Sequence, residues 1–327
     1  MVVFMNKKIV VLGGGRGLSA LINGLKMFPL DITAVVAVSD SGSSTGRLRE
    51  EFNTPAVGDI REVLITMAED EDAVRDFMGY RFNTTSDLDG HTLGNLVLTA
   101  MTKLKGNLSD AIEELGSIFR IKGKILPFTE DEVTLVATMS DGSIYEGEHH
   151  ITEAKKTIVD IKDKEENVRV TPSVLKVIEE ADLIILGIGS LYTSLIPNLL
   201  SNDMRDAILK SKAKKMYICN AMTQSGETDN FKVSDCVNIL NKYMEGDFLD
   251  VVIASNSEVP QDIIDKYKTR ESKSTILLDK MVLDEEVLNK MKFELIQDDL
   301  LSITKEGFIQ HDSTKVAFLV FSYLIKK

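Results

Sequence analysis

From residue 7 the chain alternates between two hydrophobic textures. "KKIVVLGGG" is a short apolar run that ends in glycines, and apolar residues then recur at helical spacing at Leu18, Leu21, Ile22 and Leu25. "ITAVVAV" predicts a second strand, and helical patterns follow over 60–68, 93–104 and 108–119. Residues 132–152 differ: they alternate apolar and polar and turn at Ser140-Asp141-Gly142, which predicts an antiparallel hairpin. The charged stretch 155–167 belongs to the same less hydrophobic region. Strand and helix then resume in pairs: "ADLIILGIG" with "LYTSLIPNLL", "AKKMYICNAM" with "VSDCVNILNKYM", and "LDVVIAS" with "PQDIIDKYK". Short strands and a helix at "STKVAFLVFSYLIKK" close the chain. Strands that alternate with helices predict an α/β fold, a doubly wound, mostly parallel sheet covered on both faces. No repeat or linker divides it, so residues 1–327 read as one domain with a small antiparallel β-rich insertion at about 123–170.

One stretch tests this reading. Residues 183–200 carry no charge and are nearly long enough to span a membrane, but glycines, serines, a proline and an asparagine interrupt them. Strand, turn and helix is the better reading, with no membrane span. The opening residues also lack the pattern of a signal peptide. Composition narrows the partners. Of 327 residues, 38 are Lys or Arg and 51 are Asp or Glu, giving a net charge of −13. So acidic a surface disfavours nucleic acid and anionic membranes. A small anionic ligand is still allowed, because a few arginines reverse the field locally. Two cysteines, Cys219 and Cys236, in no metal-binding spacing, suit a reduced, cytoplasmic setting.

In a doubly wound sheet, ligands bind beyond the carboxyl ends of the strands, so the loops after strands form one set. "GGGRGLS" brings Gly14, Gly15 and Gly17 to a helix start, where backbone N–H groups meet phosphate. It lacks the last glycine of the dinucleotide fingerprint and the lysine of a Walker loop. "SDSGSSTGRLR" crowds hydroxyls, including Ser41, around Asp40, with Arg47 and Arg49 as bidentate anion clamps. In "VGDIREV", Asp59 is either a site carboxylate or, with Glu62 three residues on, a capping pair. "LDGHTLGNLVL" places His91 and Asn95 one helical turn apart. "GIGSLYTSLIPN" offers Gly189, Ser190, Leu191 and Tyr192 at a helix start that suits a diphosphate. "CNAMTQSGETDN" supplies Asn220, Thr223, Gln224 and Glu227, whose amides suit the edge of a nucleobase. Six such loops predict a nucleotide-type ligand in an open cleft.

Taken in order, "GGGRGLSALINGLK", "AVVAVSDSGSSTGRLREEF", "GDIREVL", "GHTLGNL", "GSLYTSLIPNLL", "CNAMTQSGETDN" and "HDSTKVA" resemble the gluconeogenesis-factor (YvcK-like) branch of the CofD-like superfamily. The resemblance spans nearly the whole chain. It implies a Rossmann-like fold and a cytoplasmic protein tied to growth on gluconeogenic carbon, cell shape and cell-wall synthesis, one that binds a UDP-sugar such as UDP-N-acetylglucosamine. It also implies that diphosphate meets Gly14, Gly15, Gly189, Ser190 and Leu191, that base and ribose lie near Asn220, Thr223, Gln224 and Glu227, and that Tyr267 bears on the sugar. The chain departs from the family pattern at Ser43, Val57, Ile188 and Gln310.

Three functions fit these residues. A regulatory binding protein would sense a UDP-sugar and act through cell-wall or regulatory partners, as a monomer or a homo-oligomer. A CofD-like transferase would move a phospho-acyl or sugar group from a nucleoside-diphosphate donor, with Mg²⁺ on Asp40 or Asp59 and His91 near the acceptor. An NAD(P)-dependent dehydrogenase would rest on the first glycine loop alone.

Overall fold

A computed structural model describes residues 6–165, 168–261, 263, 280–304 and 309–326. Its centre is a seven-stranded sheet, β10-β9-β8-β7-β1-β2-β3, with every neighbouring pair parallel. The strands are β1 (Lys7–Gly13), β2 (Leu30–Val36), β3 (Lys124–Pro127), β7 (Leu183–Leu186), β8 (Lys214–Ile218), β9 (Val251–Ser255) and β10 (Glu294–Asp298). Strands covered on both faces must be apolar throughout. In β1, Ile9 and Val11 point into one core while Val10 and Leu12 point into the other.

The first core lies under α1 (Gly15–Leu25), α3 (Gly58–Met67), α5 (Leu93–Lys105), α6 (Leu108–Ile118) and the last helix, α12 (Ser313–Ile325). The second lies under α8 (Pro172–Glu180), α9 (Asn202–Lys210), α10 (Val233–Tyr243) and a small antiparallel sheet. Helices α2 (Ser43–Phe52) and α4 (Glu71–Gly79) sit at the rim of the first layer, and α11 (Glu285–Leu288) is a single turn. β11 (Leu301–Ile303) and β12 (Ile309–His311) form a short hairpin ladder. Among the described residues, no helix is long and apolar enough to cross a membrane.

Three local expectations change. Residues 124–127 pair with β2 as the edge of the main sheet, so the antiparallel insertion is narrower than 123–170. Its strands are β4 (Leu135–Met139), β5 (Ile144–Glu146) and β6 (Ile158–Asp163), in the order β5-β4-β6. The hairpin pattern also stops early. Gly147 takes φ +84°, a conformation that ends β5, and Glu148–Ala154 forms a helix, α7. The apolar run after β7 is not a regular helix. Leu191–Leu195 is a single π turn and Ile196–Leu199 a 3₁₀ turn, because Pro197 has no N–H to give a helical ladder. Residues 264–268, Tyr267 included, lie outside the described residues.

The small sheet is tied to the main body at Tyr243. The Ile161 N–H donates to its hydroxyl at 2.8 Å, and that hydroxyl donates to Asp160 Oδ1 at 3.1 Å. Tyr243→Phe strands the buried Ile161 N–H. It should cost about 1–3 kcal/mol, read from the midpoint of urea unfolding.

Candidate functional site

The strand order reverses direction between β1 and β7, and the loops that leave these strands must diverge there. A cleft of about 690 Å³ opens at this point. Its walls are the loop after β1, the loop after β7, the loop after β8, the start of α3, and Glu148 and Thr152 of α7. Gln310 and His311 of β12 close one end. The two glycine loops touch backbone to backbone: a Cβ on Gly17 would lie 2.3 Å from the Ile188 carbonyl oxygen. Only glycine permits that approach.

Ten predicted site residues meet in this cleft: Gly14, Gly15, Gly17, Asp40, Gly189, Ser190, Asn220, Thr223, Gln224 and Glu227, with Asp59 beside them. Their hydrogen bonds divide the work. Asn220 spends its amide on the next loop, donating from Nδ2 to the Gly189 carbonyl at 2.7 Å and accepting the Gly189 N–H at 3.3 Å. It therefore locks the loop after β7 to the loop after β8. Gln224, whose Oε1 accepts from Asn220 at 3.3 Å, stands next in line. Ser190 Oγ caps the π turn by accepting the Thr193 N–H at 2.9 Å, and its own proton goes to the buried Glu227 carboxylate. The Tyr192 N–H reaches the same carboxylate at 3.3 Å.

The other predicted residues lie elsewhere. Leu191 and Tyr192 turn their side chains into the core, leaving backbone alone near the cleft. Ser41 Oγ accepts the His149 N–H at 3.0 Å and so docks α7 onto the loop after β2. Neither arginine of that loop clamps the cleft. Arg47 donates to the carbonyls of Asp87 and Asp89, and Arg49 donates to those of Asp40 (2.9 Å) and Val133 (2.6 Å). Both bind backbone carbonyls of neighbouring loops, which bring acceptors within reach of the guanidinium forks. His91 lies beneath α2, its Nδ1 2.9 Å from Ser44 Oγ, and Asn95 donates to the same hydroxyl at 3.1 Å. Asp59 and Glu62 do not cap α3. Val57 holds the cap position, and Glu62 pairs with Arg61.

Among the wall residues that escaped sequence reasoning are Arg16, Glu148 and Thr152. Arg16 is exposed inside the glycine loop, pairs with no described acidic side chain, and is the one arginine or lysine among the described lining residues. Its place between two glycines was the available signal. Glu148 and Thr152 carried none, because their segment alternates like a strand.

The cleft is rich in carboxyl groups. Burial, then the charges of Asp40 and Glu148, push Asp59 up to about 7, against the opposing pull of the Gly15 N–H. Burial, then Asp40, does the same to Glu148, also to about 7. Burial raises Glu227, and its bonds from Ser190 and Tyr192 partly offset that. His311 goes the other way: burial lowers it to about 4, so it stays neutral, with Nε2–H donating to the Cys219 carbonyl at 3.1 Å.

The family model described as 2-phospho-L-lactate transferase CofD matches residues 9–301. The chain belongs to the CofD family. Within the family it sides with the gluconeogenesis factors. It is 42% identical to the gluconeogenesis factor of Bacillus subtilis over 317 residues, covering 97% of this chain and 98% of that one. The gluconeogenesis factor of Listeria innocua is 37% identical over 320 residues, covering 98% and 96%. A crystal structure of a Bacillus halodurans protein superposes with a TM-score of 0.91 at 35% identity, over 97% of this chain and 99% of that one. The CofD family thus carries this α/β architecture, and the cleft falls at its switch point.

Asp59 makes the electrostatics testable. Its folded pKa lies well above the ordinary aspartate value of 3.8. Its contribution to stability is therefore full below about pH 4 and is lost as the pH rises through about 7. Asp59→Asn keeps an acceptor for the Gly15 N–H and removes the charge. The variant should be more stable than the wild type by about 2–4 kcal/mol above pH 8, with the gap closing below pH 4, as measured by thermal unfolding across pH.

Proposed function

We propose that this CofD-family chain binds a UDP-sugar of the UDP-N-acetylglucosamine type and acts in the cytoplasm as a regulatory protein linking carbon metabolism to cell shape and wall synthesis. One observation supports this above the others: the turn after β1, which opens α1, and the turn after β7, which opens a π turn, both line the cleft. Backbone N–H groups and hydroxyls at such turns suit a diphosphate. Gly14 and Gly15 would take one side of it, Ser190 and Thr193 the other. Arg16 supplies the cation. Asp59, held near neutrality, can keep its proton and donate it to a phosphate oxygen. Gln224 and Thr223 lie where a base and ribose would extend along the loop after β8. Nearly full-length similarity to gluconeogenesis factors supports the link to carbon metabolism.

A second reading, transfer from a nucleoside-diphosphate donor, draws on the carboxylate pair. Mg²⁺ is commonly held by one or two carboxylates together with substrate phosphates. Asp40 and Asp59 fit such an ion, since the charge of Asp40 raises the Asp59 carboxyl and a cation would relieve that repulsion. Bound there, Mg²⁺ would neutralise phosphate charge. Asp40 would remain oriented by accepting the Gly42 N–H at 2.9 Å.

UDP-N-acetylglucosamine at a hundred times its dissociation constant should stabilise the protein by about 2.7 kcal/mol, seen as a shift of roughly 2–4 °C. Arg16→Ala should weaken binding about tenfold. A diphosphate adds negative charge beside Asp59 and Glu148, so binding should take up protons. Without Mg²⁺, affinity should therefore fall as the pH rises from 6 to 8.5 in calorimetric titrations. Release of a nucleoside diphosphate in the presence of Mg²⁺ would favour the transferase instead.

A further inference from the structure

A second chamber of about 450 Å³ adjoins the cleft at Asp40 and Asp59. It shares Gly15, Arg16, Asp40 and Asp59 with the cleft, so the two spaces adjoin. Three guanidinium groups line it: Arg16, Arg61 and Arg81. Arg61 is held by Thr92, Asn95 and Glu62, yet its Nε–H is buried with no acceptor among the described residues. Arg81 is exposed, and among the described residues its guanidinium donates to the Gly90 carbonyl alone. The N-termini of α1, α2 and α3 all reach the chamber, and none of the three has a side-chain cap. Positive helix ends and arginine forks in one pocket select an oxyanion.

Acidic groups face the same space and must be counted. Glu62 is neutralised by Arg61. Asp40 accepts the Gly42 N–H, and Asp59 faces the Gly15 N–H. Both line the two spaces alike, whereas Arg61 with its partner Glu62, Arg81 and the start of α2 line the chamber only. Buried Ser44 and Thr45 there are fixed through Asn95, at 3.1 and 3.4 Å from its Nδ2. This accounts for what Asn95 and His91 do: they hold the α2 terminus in place.

We propose that this chamber binds a small phosphate monoester, as a second ligand beside the one in the main cleft. The volume suits a short hydroxylated carbon skeleton, within the range of small-molecule pockets. Phosphate rather than carboxylate follows from the donors, which converge from three helix ends and three arginines, more than two carboxylate oxygens can use. Arg16 borders both spaces, so the two ligands are coupled, each changing the other's affinity by the same factor. The inference does not depend on which nucleotide the main cleft takes.

The test is calorimetric titration of the full chain with glycerol 3-phosphate, inorganic phosphate and, separately, UDP-N-acetylglucosamine, using wild type, Arg81→Ala and Gln224→Ala. Glycerol 3-phosphate should bind once per chain and more tightly than inorganic phosphate. Arg81→Ala should weaken it about tenfold and leave UDP-sugar binding unchanged, while Gln224→Ala should leave it intact. Arg81 is exposed, and thermal unfolding checks that its variant folds; Arg16→Ala, also exposed, should weaken the ester as well. No saturable binding at tens of millimolar, equal binding by Arg81→Ala, or equal loss in Gln224→Ala would each overturn the proposal. An ester that binds no better than inorganic phosphate would overturn the assignment to a monoester. Failure of the UDP-sugar titration alone would strike the nucleotide reading and leave the chamber standing.

Discussion

The close approach of Gly17 to the Ile188 carbonyl is the constraint on which the site depends. It lets the turns after β1 and β7 meet at the point where the sheet reverses its winding. Any side chain at position 17 would force the loops apart by the width of a methyl group. That would pull Gly189 from Asn220 and loosen the seam between the loops after β7 and β8. The cleft is thus a product of backbone contact, and the side chains that line it are fixed by that contact.

Electrostatics gives the cleft its second property. A phosphate site is usually pictured as basic, yet in the cleft proposed to take a diphosphate Asp40, Asp59, Glu148 and Glu227 outnumber Arg16. Burial keeps two of these carboxyls close to neutrality. Such groups hold protons that a bound phosphate can use, or give them up to a cation that arrives with it. The same arrangement couples the cleft to the chamber that adjoins it at Asp40 and Asp59, since a charge in either space is felt by both carboxyls.

Much of the fold was legible in the sequence because parallel strands buried on both faces are continuous apolar runs. β1, β2, β7, β8 and β9 all read this way. Short helices were harder: α4, α8 and α9 are nine residues each, too few turns for an apolar period to repeat, and they passed unread. α7 was misread because "EHHIT" alternates like a strand, and only the positive φ of Gly147 decides otherwise. Of the site, the glycine loops and the amide-bearing loop were visible as chemistry. The arginines misled because a side chain's direction is not written in its identity. Arg47 and Arg49 turn to backbone carbonyls, while Arg16, one residue among glycines, faces the cleft. Asn220 was read as a base contact, but the structure uses both ends of its amide on Gly189.

The most direct test of the account is a crystal structure of the protein with UDP-N-acetylglucosamine. The account predicts the diphosphate between Gly14–Gly15 and Ser190–Thr193, with Arg16 turned onto a phosphate oxygen and the base along Thr223 and Gln224. A nucleotide bound outside the β1–β7 crevice, or with its diphosphate away from both glycine turns, would contradict it.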